Sequence, residues 1–121
     1  TFGIYLMGQV FKWILHAGGL SAIEERNETK ATIIYSALAD RGDFYSLIAR
    51  EDCRSRMNIS FRCQTSELDS LFLEKATELR MSGLKGHRSV GGLRASVYNA
   101  FPVEGCEKFA AFLTEFADNN S

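Results

Sequence analysis

The chain has 121 residues, of which 45% are hydrophobic and 24% are charged, and its formal net charge is -1. These values predict one globular domain that can bury a core without help from a metal or disulfides. The sequence argues against a membrane protein, because no apolar run approaches the ~18 residues that a span requires. Since no secretory leader is evident either, we expect a soluble protein.

The first predicted element is a helix over residues 2–17, which Gly18-Gly19 ends. Its apolar residues recur at spacings of three and four, which is the period of a helix. Because so broad an apolar face needs cover on more than one side, we expect that cover to lie outside this chain. His16 is predicted to occupy the last turn, where the helix dipole favours it, and Trp13 is predicted to pack. The apolar residues are Ile4, Tyr5, Met7, Val10, Phe11, Ile14 and Leu15.

A second helix is predicted to open with the capping box at residues 21–24 and to end at residues 40–43. The charged residues near its start are interpreted as a solvated face with a few local ion pairs. Its apolar stripe contains Ile23, Ile33, Ile34, Ala37 and Leu38, and its charged residues are Glu24, Glu25, Arg26, Glu28 and Lys30.

Two short β-prone segments follow, over residues 44–48 and 58–63, and both are predicted to be strands. The loop between them alternates basic and acidic residues, which favours a solvated loop over a phosphate-binding one. A supporting role near a site stays open for Arg54 and Arg56. The charged residues of this loop are Arg50, Glu51, Asp52, Arg54 and Arg56.

A third helix is predicted to begin with the capping motif at residues 66–69 and to close near Ser82-Gly83. A fourth begins at Pro102, whose missing N–H has no partner in a first turn, and residues 118–121 are predicted to be a frayed tail. The resulting order predicts an α+β fold, in which a short mixed or antiparallel sheet packs against helices. The apolar faces contain Leu68, Leu71, Phe72, Ala76 and Leu79 in the third helix, and Val103, Cys106, Phe109, Phe112, Leu113 and Phe116 in the fourth.

The three cysteines, Cys53, Cys63 and Cys106, are odd in number and widely spaced. They form no C-x-x-C motif and lie near no paired histidines, which argues against both a disulfide framework and a zinc site. We predict three reduced thiols, each buried as a small hydrophobic residue, in a cytosolic or organelle-matrix protein.

The charge pattern singles out residues 79–103, a window that contains no Asp or Glu. Local positive charge on a nearly neutral chain predicts an anion-binding site. The cationic residues of this window are Arg80, Lys85, His87, Arg88 and Arg94.

Three glycines flank His87 and Arg88 and give a backbone that can turn sharply or approach a ligand closely. Residues 93–98 then predict a strand, which holds Arg94 more rigidly than a loop does. The loop pair and the strand arginine are therefore predicted to face one small ligand with two acidic ends. The glycines are Gly86, Gly91 and Gly92.

The same stretch carries a family resemblance. Residues 86–100 closely resemble the signature near the C-terminus of phosphoserine aminotransferases, and residues 1–5, 54–59 and 102–105 extend that resemblance over essentially the whole chain. A pattern of mixed glycine, basic and aromatic positions is far more specific than a lone glycine-rich motif. The signature reads Gly86-His87-Arg88-Ser89-Val90-Gly91-Gly92-Leu93-Arg94-Ala95-Ser96-Val97-Tyr98-Asn99-Ala100.

The resemblance implies the small domain of a fold-type I pyridoxal-phosphate-dependent transferase, with residues 1–20 as an interdomain helix and residues 21–121 as the α/β layer. Family enzymes are roughly three times longer and divide into two domains, so the chain matches only their C-terminal small domain. The large domain, absent here, holds the Schiff-base lysine. No lysine of this chain is therefore assigned to catalysis, and the chain alone is expected to be inactive. These lysines are Lys12, Lys30, Lys75, Lys85 and Lys108.

The implied activity transfers an amino group from glutamate to 3-phosphohydroxypyruvate and yields phosphoserine and 2-oxoglutarate in serine biosynthesis. By position in the signature, Arg94 holds the α-carboxylate, since its fork can form two parallel N–H bonds. His87 and Arg88 contact the far anionic group, either in their own subunit's site or in the partner's. Tyr98 and Asn99 are predicted to be packing and turn residues. The resemblance also implies a cytoplasmic homodimer without nucleic-acid or membrane partners.

The alternative is a stand-alone module that binds anions or an RNA backbone through the basic glycine-rich loop. The net charge of -1, a pI near 6.1 and the lack of a longer basic stripe count against it. Electrophoretic retardation of RNA at low salt, lost as salt is raised, would favour this alternative.

Overall fold

The computed structural model describes residues 1–121 and contains four α-helices and a three-stranded antiparallel sheet. This is the predicted α+β architecture. The elements in chain order are α1 (Phe2–His16), α2 (Leu20–Asp40), β1 (Ser46–Leu47), a 3₁₀ turn (Glu51–Cys53), β2 (Asn58–Arg62), α3 (Ser66–Glu78), β3 (Leu93–Ser96) and α4 (Val103–Asn120). No helix among them combines the length and the apolar character that a membrane crossing needs.

The sheet has the order β1-β2-β3, so β3 is an edge strand. In the β2–β3 pair, Ile59 lies opposite Ala95, and Phe61 lies opposite Leu93. These four side chains are buried in the core that the helices complete. Because successive side chains of a strand point to opposite faces, the residues between them form the other face of the sheet. That face, called the polar face below, contains Asn58, Ser60, Arg62, Arg94 and Ser96.

Phe72 of α3 lies at the centre of the core and is fully buried. Its ring centroid is 4.8 Å from that of Phe112, 5.0 Å from that of Phe116 and 5.7 Å from that of Phe61. Edge-to-face and tilted ring pairs of this kind add to the free energy gained by burial. The core therefore joins α3, α4 and the sheet through aromatic contacts.

Helix α1 follows the predicted span almost to the residue, yet none of its side chains is buried. Phe2, Ile4 and Leu15 each expose more than 70% of their surface, at 72%, 74% and 73%. Trp13 is 38% exposed, so the rest of the chain does not provide the packing predicted for it. The apolar face of α1 has no cover within residues 1–121.

The N-caps of two helices lie earlier than predicted, by two residues in α2 and by one residue in α3. Helix α2 begins at Leu20, with Gly19 as its N-cap at a φ of 88°, so Ser21 lies inside the first turn and caps nothing. Helix α3 is capped by Thr65, whose hydroxyl accepts the N–H of Leu68 at 3.2 Å. Asp69 instead accepts the backbone N–H of Cys63 at 2.7 Å. Both predicted capping motifs were wrong because a neighbouring residue already has the cap geometry.

Two helix ends also differ from prediction. Helix α3 stops at Glu78, before Ser82-Gly83, because Arg80 takes a left-handed φ of 62° that breaks the helical hydrogen-bond pattern. Helix α4 continues to Asn120 instead of fraying after Ala117. Asp118 forms an ion pair with Arg41, which ties the last turn to the end of α2.

The predicted solvated face of α2 is correct for its acids and wrong for Lys30. Glu24 and Glu28 are exposed and both pair with Arg56. Lys30 is fully buried, and its Nζ donates to the carbonyl oxygens of Tyr98 at 2.8 Å and Phe101 at 2.9 Å. A lysine can be buried when backbone carbonyls accept hydrogen bonds from its ammonium, and these carbonyls do so for Lys30.

All three cysteines are free thiols, as predicted, but only Cys63 and Cys106 are buried. Burial raises the pKa of the Cys63 thiol, and Asp69 raises it further. Burial likewise raises the pKa of the Cys106 thiol. Cys53 is exposed in the 3₁₀ turn, which contradicts its predicted burial.

We expect one of the three thiols to react rapidly with a disulfide reagent in the native chain, and all three to react after unfolding. The thiolate is the reactive form, and burial both hides it and disfavours it at Cys63 and Cys106. Absorbance of the released thiolate at pH 8 measures the count. Cys53→Ser should remove the rapid phase, and two or more rapid thiols in the native chain would contradict the described packing.

Candidate functional site

The glycine-rich loop is a tight hairpin loop that leads into β3. Gly86 donates its N–H to the carbonyl of Gly92 at 3.0 Å, and the carbonyl of His87 accepts the N–H of Gly91 at 2.7 Å. Gly91 and Gly92 have left-handed φ values of 74° and 67°. A Cβ on Gly86 would lie 2.1 Å from the carbonyl oxygen of Gly91. The predicted positive φ is confirmed at Gly91 and Gly92, whereas the close approach at Gly86 is to the backbone of Gly91, and an approach to a ligand stays a prediction.

His87 and Arg88 lie at the exposed end of this loop. The His87 Nδ1 is 2.8 Å from the hydroxyl of Ser89, which fixes the ring against the loop. Arg88 forms no ion pair and no side-chain hydrogen bond, and no carboxylate pairs with His87. The loop therefore presents two cationic or proton-donating groups to solvent without an internal counter-charge.

Arg94 is half-buried on the polar face of the sheet, opposite Ser60. Its neighbours Leu93 and Ala95 are buried, which fixes the backbone on both sides of it. Its Nε is shielded from solvent and has no hydrogen-bond partner, and its guanidinium forms no ion pair. A shielded, unpaired donor of this kind costs free energy, and a bound anion would satisfy it.

Asn58 is a further member of the polar face that the sequence did not single out. Its Oδ1 accepts hydrogen bonds from the hydroxyl of Ser96 at 3.1 Å and from the hydroxyl of Tyr98 at 3.3 Å. Tyr98 is 58% exposed and so is not the packing residue predicted. The three side chains form a polar group along β2 and β3 beside Arg94. Alternation of polar and apolar residues in residues 58–62 is the signal that could have identified Asn58.

A cleft of about 580 Å³ runs along the edge of β3, between residues 79–84 and the first turns of α4. Arg94, Arg80 and Lys108 line it, and no acidic residue does. His87 and Arg88 are not among its lining residues. Within one copy of the chain, the structure thus separates the loop pair from the cleft that Arg94 lines.

Arg54 and Arg56 make contacts with α2 and with their own loop. The Arg54 guanidinium lies 5.6 Å from the ring centre of Tyr35, and its Nε donates to the carbonyl of Ala49. Arg56 pairs with Glu24 and Glu28. Both side chains hold the loop against α2, and the supporting role near a site that the sequence leaves open for them stays a prediction.

No group of three His, Cys, Asp or Glu side chains comes close enough to hold a metal ion. No strand of the sheet contains a lysine. The groups present at the polar face offer anion binding by Arg94 and hydrogen bonding by Asn58, Ser96 and Tyr98.

Comparison with known proteins identifies relatives over nearly the whole chain. The family model described as aminotransferase class-V matches residues 1–109. The phosphoserine aminotransferase of Bacillus subtilis (strain 168) is 48% identical over 120 residues, which are 99% of this chain and 33% of that protein. The phosphoserine aminotransferase of Desulfotalea psychrophila is 49% identical over 119 residues, which are 98% of this chain and 33% of that protein.

Solved structures agree with the sequence relatives. Phosphoserine aminotransferase from Bacillus circulans subsp. alkalophilus superposes with a TM-score of 0.95 at 45% identity, over 99% of this chain and 33% of that one. The phosphoserine aminotransferase from Trichomonas vaginalis, solved with pyridoxal phosphate bound, gives a TM-score of 0.85 at 35% identity, over 93% of this chain and 32% of that one. The chain thus spans about a third of the length of these relatives.

Proposed function

Because the chain belongs to the class-V aminotransferase family, we propose that it is the C-terminal, substrate-binding domain of a phosphoserine aminotransferase. The whole enzyme transfers an amino group from glutamate to 3-phosphohydroxypyruvate and yields phosphoserine and 2-oxoglutarate. The observation that carries this proposal is Arg94, a half-buried arginine without any internal partner, at the arginine position of the family signature. In this reading residues 1–20 are the interdomain helix and residues 21–121 are the small domain.

Arg94 binds the α-carboxylate that both amino acids and both keto acids share. A guanidinium held by a buried strand presents two parallel N–H donors in a fixed plane, which suits a planar carboxylate. Asn58, Ser96 and Tyr98 border it and keep the surroundings polar without adding negative charge. Nothing in the chain competes with the substrate for this arginine.

His87 and Arg88 bind the far anionic group, which is a phosphate in one substrate and a carboxylate in the other. Their exposure on a loop lets them adjust to either group, and neither has an internal counter-charge. Their absence from the cleft that Arg94 lines supports action on the site of the partner subunit. We therefore propose a homodimer in which each small domain contributes to two sites.

Pyridoxal phosphate, when bound by the large domain, supplies the electron sink for amino transfer. Lys108 lines the cleft with Arg94, but the family resemblance places the Schiff-base lysine in the large domain, so we assign this chain to substrate binding and not to covalent attachment of the cofactor. The chain alone is therefore inactive. A cytoplasmic or organelle-matrix location is part of the proposal and is supported by the three free thiols.

A chimera provides the whole enzyme for testing. In it, this chain replaces the matching third of the Bacillus subtilis relative, with which it shares 48% identity over 120 residues. Glutamate-dependent amination of 3-phosphohydroxypyruvate is then measured directly. We expect turnover, and a folded chimera that binds the cofactor but has no activity would contradict the proposed function.

Arg88→Ala in the chimera should lower kcat/KM for phosphoserine more than kcat/KM for glutamate. A phosphate carries more charge than a carboxylate at neutral pH, so the loss of one cation costs the phosphorylated substrate more. We expect the ratio of the two kcat/KM values to change by about tenfold, as for the loss of one charge-assisted hydrogen bond. Equal losses for both substrates would contradict the assignment of Arg88 to the far anionic group.

Mixed dimers distinguish the two possible placements of the loop pair. If Arg88 serves the site of the partner, a dimer of one Arg88→Ala subunit and one Arg94→Ala subunit has one intact site and one doubly damaged site. The mixed dimer, isolated after co-expression by a different tag on each subunit, should then have about half of the parental activity, far above either homodimer. Recovery no better than the homodimers would contradict action across the subunit interface.

A further inference from the structure

Lys30 holds the segment that continues from β3 by its backbone. Its Nζ lies 2.8 Å from the carbonyl oxygen of Tyr98, 2.9 Å from that of Phe101, 3.4 Å from that of Asn99 and 3.5 Å from that of Val97. The side chain is fully buried, and no carboxylate pairs with it. A compact ammonium with three donors can serve several carbonyls that converge on one point, which a planar guanidinium cannot.

A second side chain of α2 holds the same segment. Asn27 is three residues before Lys30 and so lies on the same side of the helix, and its Nδ2 donates to the Oδ1 of Asn99 at 2.8 Å. Helix α2 therefore fixes residues 97–101 through two polar side chains. These contacts set where the segment lies between the end of β3 and the start of α4.

A displacement of residues 97–101 would also displace residues on the polar face of the sheet. Val97 follows Arg94 by three residues and donates its N–H to the carbonyl of Met57, beside the start of β2. Tyr98, whose carbonyl is one of the four around Lys30, donates its hydroxyl to Asn58 next to Arg94. Arg94 and the residues that the Lys30 ammonium holds thus lie on one short stretch of the chain, residues 94–101.

A charge in this place has a cost that its hydrogen bonds must offset. Burial lowers the pKa of the Lys30 ammonium, and the nearby Cys106 acts in the opposite direction. Burying a charged group costs free energy, and an apolar side chain of the same length often packs equally well. What the ammonium provides, and an apolar side chain does not, is a fixed meeting point for four carbonyl groups.

We propose that Lys30 is a positioning residue for substrate binding: its ammonium fixes residues 97–101 and thereby aims Arg94 and Tyr98 at the polar face of the sheet. The inference rests on the proposed function for the role of Arg94. It adds a residue from α2, outside the signature stretch, to those that determine the affinity for the α-carboxylate.

The test is Lys30→Ala in the chimera, with chemical rescue. We expect the KM for glutamate to rise about 10- to 100-fold, the range for misplacement of a binding group by a remote change, while kcat falls by less than about threefold. The n-propylammonium ion has the three carbons and the nitrogen that the substitution removes, so it should restore the low KM. Propanol, of the same shape but neutral, should not.

The possible outcomes separate cleanly. An unchanged KM in the folded variant, or equal rescue by propanol and propylammonium, would overturn the proposal. Lys30→Met fills the space without the donors and should show the raised KM that Lys30→Ala shows. If neither variant folds where the parent chimera is active, Lys30 serves stability alone and the proposal is wrong.

Nuclear magnetic resonance of the whole 121-residue chain gives a readout independent of activity. In Lys30→Ala, the amide signals of residues 94–101 should shift, and propylammonium should return them towards their original positions. This experiment separates the two claims. An inactive parent chimera counts against the proposed function, whereas unshifted amide signals in the chain count against the role of Lys30.

Discussion

Arg94→Ala in the chimera is expected to lower kcat/KM about 30- to 5000-fold for glutamate and for phosphoserine alike. This range corresponds to the loss of about 2 to 5 kcal/mol when one partner of a desolvated charge pair is removed. Both substrates should lose kcat/KM because, under the proposed function, both present the same α-carboxylate to the guanidinium. Steady-state kinetics of the two half-reactions provide the measurement.

Two control variants sharpen this result. Arg94→Lys keeps the charge but loses the two parallel donors, so it should recover only part of the activity. Arg50→Ala removes an arginine that pairs with Asp52 on the surface, with 81% of its side chain exposed, and should leave kinetics unchanged. Turnover that survives Arg94→Ala would contradict the assignment of the α-carboxylate to this residue.

Phe72→Ala should lower the free energy of unfolding of the chain by about 3 to 5 kcal/mol, the usual cost of truncating a fully buried aromatic side chain. Phe72 contacts rings from β2 and α4, so its loss leaves a cavity that no single element can close. Urea denaturation followed by circular dichroism measures the change. With a slope of about 2 kcal/mol/M, the midpoint should fall by roughly 2 M.

Phe2→Ala is the matched control, because it makes the same truncation at a phenylalanine that is 72% exposed. It should change the free energy of unfolding by less than about 0.5 kcal/mol. Similar losses from both variants would mean that the aromatic cluster around Phe72 does not dominate the core.

The helices were predictable because their apolar periodicity extends over many turns, whereas their first residues were not. At Gly19 and Thr65 the backbone conformation selects the cap, and Ser21 and Ser66 are equally good cap residues by composition. Strand β1 has only two residues because the backbone N–H groups of Phe44 and Tyr45 donate to the carbonyl of Arg41, in the turn that follows α2, and so do not pair with β2.

Lys30 shows where charge misled the sequence interpretation. It follows Ile23 by seven residues and precedes Ile34 by four, so its spacing places it on the buried side of α2. A charged residue is rarely buried without partners, and its partners here are backbone carbonyls about seventy residues away in the chain. The pattern of side chains along the sequence does not predict that such carbonyls will lie near Lys30.

The candidate site was predictable in its residue types more than in its geometry. Glycines with positive φ and an arginine on a strand follow from residues 86–96 alone. Two features of the site are properties of tertiary structure. Arg94 has no counter-charge, and His87 lies away from the cleft that Arg94 lines. They depend on which side chains of distant elements come near, and the spacing of residues along one strand gives no information about that.

A crystal structure of the chimera with phosphoserine bound tests the central claim most directly. We expect two parallel hydrogen bonds of about 2.8 Å between the Arg94 guanidinium and the α-carboxylate. His87 and Arg88 of the other subunit should lie against the phosphate. An α-carboxylate bound elsewhere, with Arg94 turned away and paired with an acidic side chain, would contradict the account.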